Sequence, residues 1–334
     1  MKRIVILFLA ACLFIVAPTF AQQYKVADKV KLGGEGGWDY LTFDKDGHRL
    51  FITRGSHVMV VDVQTLKVSG DIPDQSGLHG VALVPSLNRG FASNGGDDSV
   101  TIFDLKTLKV LDKVKVGNRP DAIIYDPFTK RVFTFNAKSQ DSTALDAATG
   151  KVVGTIPLGG KPETPATDGK GTMYVNIEDK GEIAKFDPAK LTVLNRWPVE
   201  GCTEPSALAY DVQHQRLFPG CEKLMAVVDA TSGKLVTTVP IGEGVDAGGF
   251  NPTTQEVFMS CGNGTLSVIH EDSPDKYTVK QTVDTQRGAR TMALDNSTNA
   301  IYTVTAEFDP TPPPAGQRRK MIPDTFTLIV VKGQ

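Results

Sequence analysis

Short apolar runs alternate with polar turns along nearly the whole chain. Beyond residue 21 these runs are rich in Val, Ile and aromatic residues or alternate with a period of two, and Asp, Asn, Gly or Pro separates each run from the next. No segment there sustains the 3.6-residue apolar period of an amphipathic helix. The pattern predicts an all-β chain of short strands joined by tight turns.

The pattern itself repeats about every 42 residues. An Asp follows the third run of five units, at Asp62, Asp104, Asp146, Asp187 and Asp229, and a degraded sixth copy begins at His270. An aromatic residue marks the second run of seven units, at Phe51, Phe91, Phe133, Tyr174, Phe218, Phe258 and Tyr302. A repeat of about 40–45 residues with four strands is typical of a β-propeller blade. We therefore predict a seven-bladed β-propeller with four-stranded blades over residues 22–334.

The last repeat lacks one strand. It holds three runs of strand length, Arg290–Leu294, Ala300–Thr305 and Phe326–Val331, and then the chain stops. The N-terminal run Ala27–Leu32 resembles the fourth run of other units, such as Lys113–Val116. We expect this N-terminal strand to complete the last blade and close the ring, which removes open sheet edges.

The second strands carry the motif of a known repeat. They read Phe51-Ile-Thr-Arg54, Phe91-Ala-Ser-Asn94, Phe133-Thr-Phe-Asn136 and Tyr174-Val-Asn176, each followed by a strand that ends in Asp. Over about residues 24–334 the chain resembles the YVTN-repeat, YncE-like propellers. The resemblance implies an exported seven-bladed propeller and leaves the activity open, because the motif is scaffold. Cys221 and Cys261 replace the motif Asn in the fifth and sixth repeats.

The N-terminus has the layout of a secretory signal peptide. Lys2 and Arg3 precede the apolar run Ile4–Val16, and small residues at Thr19 and Ala21 favour cleavage after Ala21. The 13-residue run is short for a membrane span. No later run approaches 18 apolar residues, so we expect no transmembrane segment after cleavage of residues 1–21.

We expect a periplasmic or secreted protein. The alternative is a lipoprotein anchored at Cys12, since Leu9-Ala-Ala-Cys12 resembles a lipobox. Cleavage after Ala21 would change the net charge from −2 to −4 by removing Lys2 and Arg3. This mildly acidic balance argues against a general nucleic-acid-binding protein.

Three cysteines remain after cleavage, so at most one internal disulfide forms. Cys202 precedes the first strand of the fifth repeat and Cys221 ends its second strand, which brings both to one rim. We expect a Cys202–Cys221 disulfide. A Cys221–Cys261 disulfide between equivalent places in adjacent blades is the alternative.

Acidic residues recur where the inner strands of the propeller begin. Alignment of the repeats places Asp39, Asp121, Glu163 and Asp246 in one column, which also holds Arg290. The flanking columns contribute Trp38, His79, Arg119, Lys161 and Glu204. If the acidic column faces the axis, its carboxylates surround one funnel that suits Ca²⁺, Mg²⁺ or a cationic ligand. The alternative is internal neutralisation by Arg119, Lys161 and Arg290. His79 and His270 lack metal-ligand spacing in sequence, and the ordinary interpretation of each is a surface or hydrogen-bonded histidine.

The largest break in the repeat lies between Thr305 and Phe326. A loop this long in a compact fold is usually functional or disordered. It leaves the second strand on the face where the inner strands begin, so Arg318, Arg319 and Lys320 are candidates for a lid over the acidic mouth. The alternative is a mobile basic surface loop.

The sequence favours a non-catalytic scaffold that binds a small-molecule or protein ligand through its channel face, and we expect a monomer. A hydrolase or lactonase that uses a divalent cation in the acidic funnel is the main alternative. Single-stranded nucleic-acid binding is a third. No zinc-protease, haem-attachment, P-loop or nucleophile-elbow motif is present, and the Gly33–Gly37 segment lacks the helix of a dinucleotide site.

Overall fold

The computed structural model describes residues 23–311 and 319–333, so the predicted signal peptide lies outside the described residues. The strands, in chain order, are β1 (Tyr24–Lys31), β2 (Leu41–Asp44), β3 (Arg49–Thr53), β4 (Val58–Asp62), β5 (Lys67–Ile72), β6 (Leu78–Val84), β7 (Arg89–Asn94), β8 (Ser99–Asp104), β9 (Val110–Lys115), β10 (Pro120–Asp126), β11 (Arg131–Asn136), β12 (Asp141–Asp146), β13 (Val152–Pro157), β14 (Pro162–Thr167), β15 (Met173–Ile177), β16 (Glu182–Asp187), β17 (Thr192–Pro198), β18 (Pro205–Asp211), β19 (Arg216–Cys221), β20 (Leu224–Asp229), β21 (Leu235–Pro240), β22 (Val245–Asn251), β23 (Glu256–Cys261), β24 (Thr265–Ser273), β25 (Lys276–Asp284), β26 (Met292–Asp295), β27 (Ala300–Thr305) and β28 (Thr327–Gly333). Two single-turn 3₁₀ helices, Pro85–Leu87 and Glu178–Lys180, are the helices of the described part.

The described strands form seven four-stranded antiparallel sheets arranged as the blades of a propeller. Blades one to six are consecutive groups of four strands from β2 to β25. The seventh is β26, β27 and β28 with β1 at its outer edge, paired antiparallel with β28. Inner strands of adjacent blades contact one another around the ring, and β26 contacts β2. The predicted fold and its closure by the N-terminal strand are confirmed.

Some predicted strand limits were wrong. The first strand begins at Tyr24, earlier than expected, and the inner strand of blade seven begins at Met292, so Arg290 precedes it. The fourth strand of blade two is Val110–Lys115, slightly earlier than the pattern indicated. These strands are edge strands or strand ends, where burial imposes the weakest sequence pattern.

The repeated residues build the scaffold. The second-strand aromatics are buried between blades, with exposures from 0% at Phe51 to 4% at Tyr302. Each ring removes roughly 150–250 Å² from water. The repeated Asp residues cap the following turn: Oδ1 of Asp62, for example, accepts hydrogen bonds from the Thr65 backbone N–H at 2.7 Å and from its hydroxyl at 2.9 Å. These roles leave the non-repeated residues as the candidates for function.

The inner strands of blades two to six begin with a β-bulge. In blade two, Leu78 pairs with Asn94 and Val81 with Ala92, so two residues, His79 and Gly80, face one residue of β7. The inner strands of blades three to six shift register at the equivalent point. A bulge breaks the strict alternation of side chains and redirects them. Residues of neighbouring columns can therefore reach the channel together.

In the described part, helices are too short and too polar to cross a membrane.

Candidate functional site: an acidic channel mouth

The acidic column converges on one cavity at the end of the channel where the inner strands begin. The cavity has a volume of about 380 Å³. Its charged lining residues are Asp39, His79, Arg119, Asp121, Lys161, Glu163, Glu178, Asp246 and Arg290, and Trp38 and Tyr40 also line it. We call this cavity the channel mouth. A hydrogen bond between two neighbouring blades fixes part of the lining. The Ser93 hydroxyl of blade two donates to the backbone oxygen of Asp121, in the bulge of blade three, at 2.5 Å.

Asp39, His79 and Asp121 form the tightest cluster in the channel mouth. Nδ1 of His79 lies 2.6 Å from Oδ2 of Asp39 and 3.5 Å from Oδ1 of Asp121. The three side chains each offer one ligand atom, and these atoms lie within 4.8 Å of one another. His79 is thus the hydrogen-bonded histidine that the sequence allowed. The fold also gives it the metal-ligand geometry that its sequence spacing did not indicate.

Lys161 joins two further carboxylates. Its Nζ lies 2.8 Å from Oε1 of Glu163 and also contacts Oε2 of Glu178. Glu178 begins the 3₁₀ turn after β15, and its backbone N–H donates to the Lys161 carbonyl at 2.9 Å. On the other side of the mouth, Nε of Arg290 lies 3.3 Å from Oδ2 of Asp246.

Burial makes three carboxylates of the mouth, Asp121, Glu163 and Asp246, hard to ionise. It raises the pKa of Asp121 to about 6, opposed by the charge of His79 and supported by that of Asp39. Burial, with the charge of Asp121, raises the pKa of Glu163 to about 8 against the opposing contact with Lys161. Burial also raises the pKa of Asp246 to about 6, although Arg290 opposes it. Protons therefore compete with any cation that enters the mouth.

The pKa values of two other groups are raised by the same negative electrostatic field. Burial opposes protonation of His79, but its hydrogen bond with Asp39 and the charge of Asp121 outweigh that effect and raise the pKa of His79. Burial, followed by the charges of Glu163 and Asp121, raises the pKa of Tyr40 well above its ordinary value. Tyr40 thus lies where the field of several carboxylates overlaps.

Internal neutralisation is present but incomplete. The lining holds five carboxylates, Asp39, Asp121, Glu163, Glu178 and Asp246, against three permanently charged bases, Arg119, Lys161 and Arg290. Glu204 lies outside this set: it lines an adjoining cavity of about 200 Å³ that shares Glu163 and Asp246 with the channel mouth.

Sequence reasoning missed Glu178 and Arg54. Arg54 stands at the motif position that holds Asn94 and Asn136 in blades two and three, so a basic residue at that position was the available signal. Glu178 directly follows a second strand, where Gly95, Ala137, Gly262 and Ala306 are small and Glu222 of blade five is also acidic. Arg54 is fully buried and donates to backbone oxygens of the segment that leads into the mouth, at 3.2 Å from Gly33 and 2.8 Å from Glu35. Its guanidinium also lies 3.6 Å from the ring centroid of Phe326.

The base of the long loop lies beside the mouth. Trp38 packs on Phe308 and Phe326 at ring-centroid distances of 6.0 and 5.3 Å. Arg319 lines a cavity of about 620 Å³ that shares Arg290 with the mouth. Lys320 is exposed, and its carbonyl accepts from the Asp309 N–H at 2.9 Å. Arg318 lies outside the described residues, and the lid stays a prediction.

A disulfide joins Cys202 and Cys221, with Cα atoms 5.2 Å apart. It ties the segment before β18 to the end of β19, next to Glu204 and Glu222 of the adjoining cavity. Cys261 is free and buried, and burial raises the pKa of its thiol to about 11. A thiol of that kind is unreactive at neutral pH.

The other end of the channel offers less chemistry. A cavity of about 460 Å³ there is lined mainly by the ends of the first three inner strands, including Phe43, Leu83 and Tyr125. Its buried carboxylate, Asp44, is paired with Arg49 at 2.7 Å. The channel mouth is therefore the stronger candidate site.

Comparisons with known proteins identify the fold. No profile of a known protein family matches the chain, and no curated protein matches it in sequence. A chain from the crystal structure of the mitotic checkpoint complex superposes with a TM-score of 0.77 at 13% identity, over 99% of this chain and 98% of that one. A chain of Kuenenia stuttgartiensis hydrazine synthase gives a TM-score of 0.69 at 17% identity, over 80% of this chain and 92% of that one. At these identities the likeness shows the fold alone: the chain is a seven-bladed β-propeller.

Proposed function

We propose that this chain is an exported propeller that binds a ligand or protein partner through the channel mouth, and that the group it binds there is cationic. The proposal rests on the convergence of five carboxylates and three permanently charged bases on one cavity of about 380 Å³. A propeller is compatible with a binding scaffold. Membership of the YVTN-repeat, YncE-like propellers, and a periplasmic or secreted location, belong to the same proposal.

The charge balance supports a cationic group. Lys161 contacts both Glu163 and Glu178, and Arg290 contacts Asp246, so two bases of the mouth are already engaged. Asp39 and Asp121 have His79 as their close partner. A bound cation would displace the proton from that histidine and offset the mutual repulsion of the carboxylates. The same field repels phosphate, which argues against single-stranded nucleic acid at this face.

Calorimetric titration at pH 8 with Ca²⁺, with Mg²⁺ and with a trilysine peptide tests the proposal. We expect binding of at least one probe, weakened about tenfold or more at pH 5.5 because Asp121, Asp246 and Glu163 are then protonated. Asp121→Asn and Asp246→Asn should each weaken binding at pH 8, whereas Asp112→Asn on the exposed outer strand β9 should not. Absence of heat above buffer for all three probes would refute the proposal.

A metal-dependent hydrolase or lactonase is the second candidate, and the Asp39–His79–Asp121 cluster favours it. A divalent cation there would supply an activated water. A lactone-hydrolysis assay of metal-loaded protein separates the two functions, because the binding proposal also allows Ca²⁺ or Mg²⁺ in the mouth. Elemental analysis of purified protein identifies the metal to load. Loss of lactone hydrolysis in the His79→Gln protein would support the enzyme. Equal rates of lactone hydrolysis for wild type and His79→Gln would exclude it.

A further inference from the structure

A second cluster of potential ligands lies at the rim opposite the channel mouth, between blades five and six. Asp211 ends the inner strand β18, His214 lies in the turn that follows, and Glu271 lies near the end of β24. The strand β18 begins at the mouth and has seven residues, so the cluster is roughly 20 Å from the mouth at about 3.3 Å per residue. We call these three residues the rim cluster.

The rim cluster is compact and buried. Nδ1 of His214 lies 2.6 Å from Oδ2 of Asp211 and 3.2 Å from Oε1 of Glu271. The side chains of Asp211 and Glu271 are 2% and 0% exposed, whereas that of His214 is 24% exposed. Each residue offers one ligand atom, and the three atoms lie within 4.8 Å of one another. The cluster thus brings one imidazole nitrogen and two buried carboxylates together, and His214 is its most exposed member.

Hydrogen bonding leaves two polar atoms of the rim cluster unsatisfied, although the carboxylate of Asp211 accepts from the backbone N–H groups of Gln213 and His214. Among the described residues, Oε2 of Glu271 is buried without a hydrogen-bond partner, and Nδ1 of His214 makes no properly oriented hydrogen bond to either carboxylate. The neighbouring Arg216 pairs instead with Asp229 and Asp275, both at 2.9 Å. Buried carboxylates without a full complement of partners commonly coordinate a metal.

Two departures from the repeat meet at the rim cluster. His214 occupies the turn position of Thr129 and Thr298, whose hydroxyls donate to the preceding Asp of blades three and seven at 2.6 Å. In blade six, His270 of the third strand pairs with Glu256 at the start of the second strand, and Glu271 is the next residue. The equivalent positions in blades one to five are Val63, Leu105, Ala147, Pro188 and Ala230. A histidine and a carboxylate replace scaffold residues where adjacent blades touch, and propeller folding alone does not call for either.

We propose that Asp211, His214 and Glu271 bind a divalent transition-metal ion, of which Zn²⁺ fits best. Two carboxylates balance the charge of the ion, and neutral imidazole completes a three-ligand set of the kind that Zn²⁺ takes together with water. The proposal is independent of the channel mouth and of the function assigned to it.

Zn²⁺ titration of the His79→Gln protein, in which the cluster of the channel mouth is disabled, tests the rim cluster by itself. We expect one Zn²⁺ per chain and a rise in Tm on Zn²⁺ addition, because an ion that binds only the folded state stabilises it. Adding His214→Thr, which installs the residue of blades three and seven, or the near-isosteric Glu271→Gln, should weaken Zn²⁺ binding at least tenfold and abolish the rise in Tm.

Each of these variants is expected to fold, which circular dichroism and the Tm without metal verify. The proposal is overturned if the His79→Gln protein binds no Zn²⁺, or if His214→Thr and Glu271→Gln leave its affinity unchanged. A loss of Ca²⁺, Mg²⁺ or peptide binding on His79→Gln with Zn²⁺ binding retained would show that the two sites are separate.

Discussion

At the scale of single residues, those that follow the repeat build the scaffold, and those that depart from it are the candidates for function. The repeated Asp and aromatic residues cap turns and fill the core between blades. Arg54 departs from the repeat and is fully buried, and its burial lowers its pKa to about 10. It holds the segment Gly33–Gly37, in which Gly36 has a φ of +90° and an added Cβ would lie 3.0 Å from the Arg54 carbonyl oxygen. Arg54 thereby positions the start of the mouth, just before Asp39.

Replacement of Arg54 by Met should lower the free energy of unfolding by roughly 3 kcal/mol, because four carbonyl oxygens of the segment Gly33–Gly37 lose their charged donor and the contact of the guanidinium with Phe326 is lost. Arg54→Lys should recover less than half of the loss, since an ammonium lacks the planar fork that reaches several acceptors at once. Urea denaturation measures both effects, with Arg287→Met on an exposed arginine as the control. Equal stability of Arg54→Met and wild type would contradict this role.

At the scale of elements, the bulge and the disulfide decide how the inner strands present their first residues. The bulge puts His79 beside Asp121 although the two residues belong to different columns of the repeat. The Cys202–Cys221 disulfide anchors the segment before β18, which carries Glu204. Both devices act at the strand starts, where the lining of the mouth is assembled.

Loss of the disulfide should lower the free energy of unfolding by about 3 kcal/mol, because the unfolded chain then no longer contains a closed loop. The cysteines are 19 residues apart in sequence. The Cys202→Ser/Cys221→Ser protein and the dithiothreitol-treated wild type should therefore show similarly lowered urea midpoints. In the oxidised protein, a thiol reagent should detect Cys261 only after unfolding. Coincident midpoints for oxidised and reduced wild type would rule out a stabilising role.

At the scale of the whole molecule, closure of the ring depends on the N-terminal strand. Tyr24 is 2% exposed and ties blade seven to blade six: its hydroxyl contacts Glu256, and its backbone N–H donates to Oε1 of Gln281 at 2.8 Å. Its ring meets Phe258 edge-on at 5.2 Å. Without β1, the strand β28 would present an unpaired edge to solvent.

A protein that starts at Gly33 should lose roughly 10 °C or more in Tm, because the burial of one large aromatic side chain and a full strand pairing is removed. It should also self-associate through the free edge of β28. Differential scanning calorimetry and size-exclusion chromatography measure the two effects. Tyr24→Phe, which removes only the hydroxyl contacts with Glu256 and Asn299, is the milder control. A monomeric truncated protein of unchanged Tm would disprove the closure argument.

The sequence by itself determined the number of blades, their strand pattern, the closing strand and the acidic column, because these features are periodic and depend on local burial and turn chemistry. Tertiary structure decided which of the three cysteines beyond residue 21 are joined, and it brought His79 and Glu178 into the mouth. It also brought Asp211, His214 and Glu271 together at the rim between two blades. The physical reason is that side-chain convergence depends on bulges and on contacts between blades, and these join residues far apart in the chain without leaving a period in its sequence.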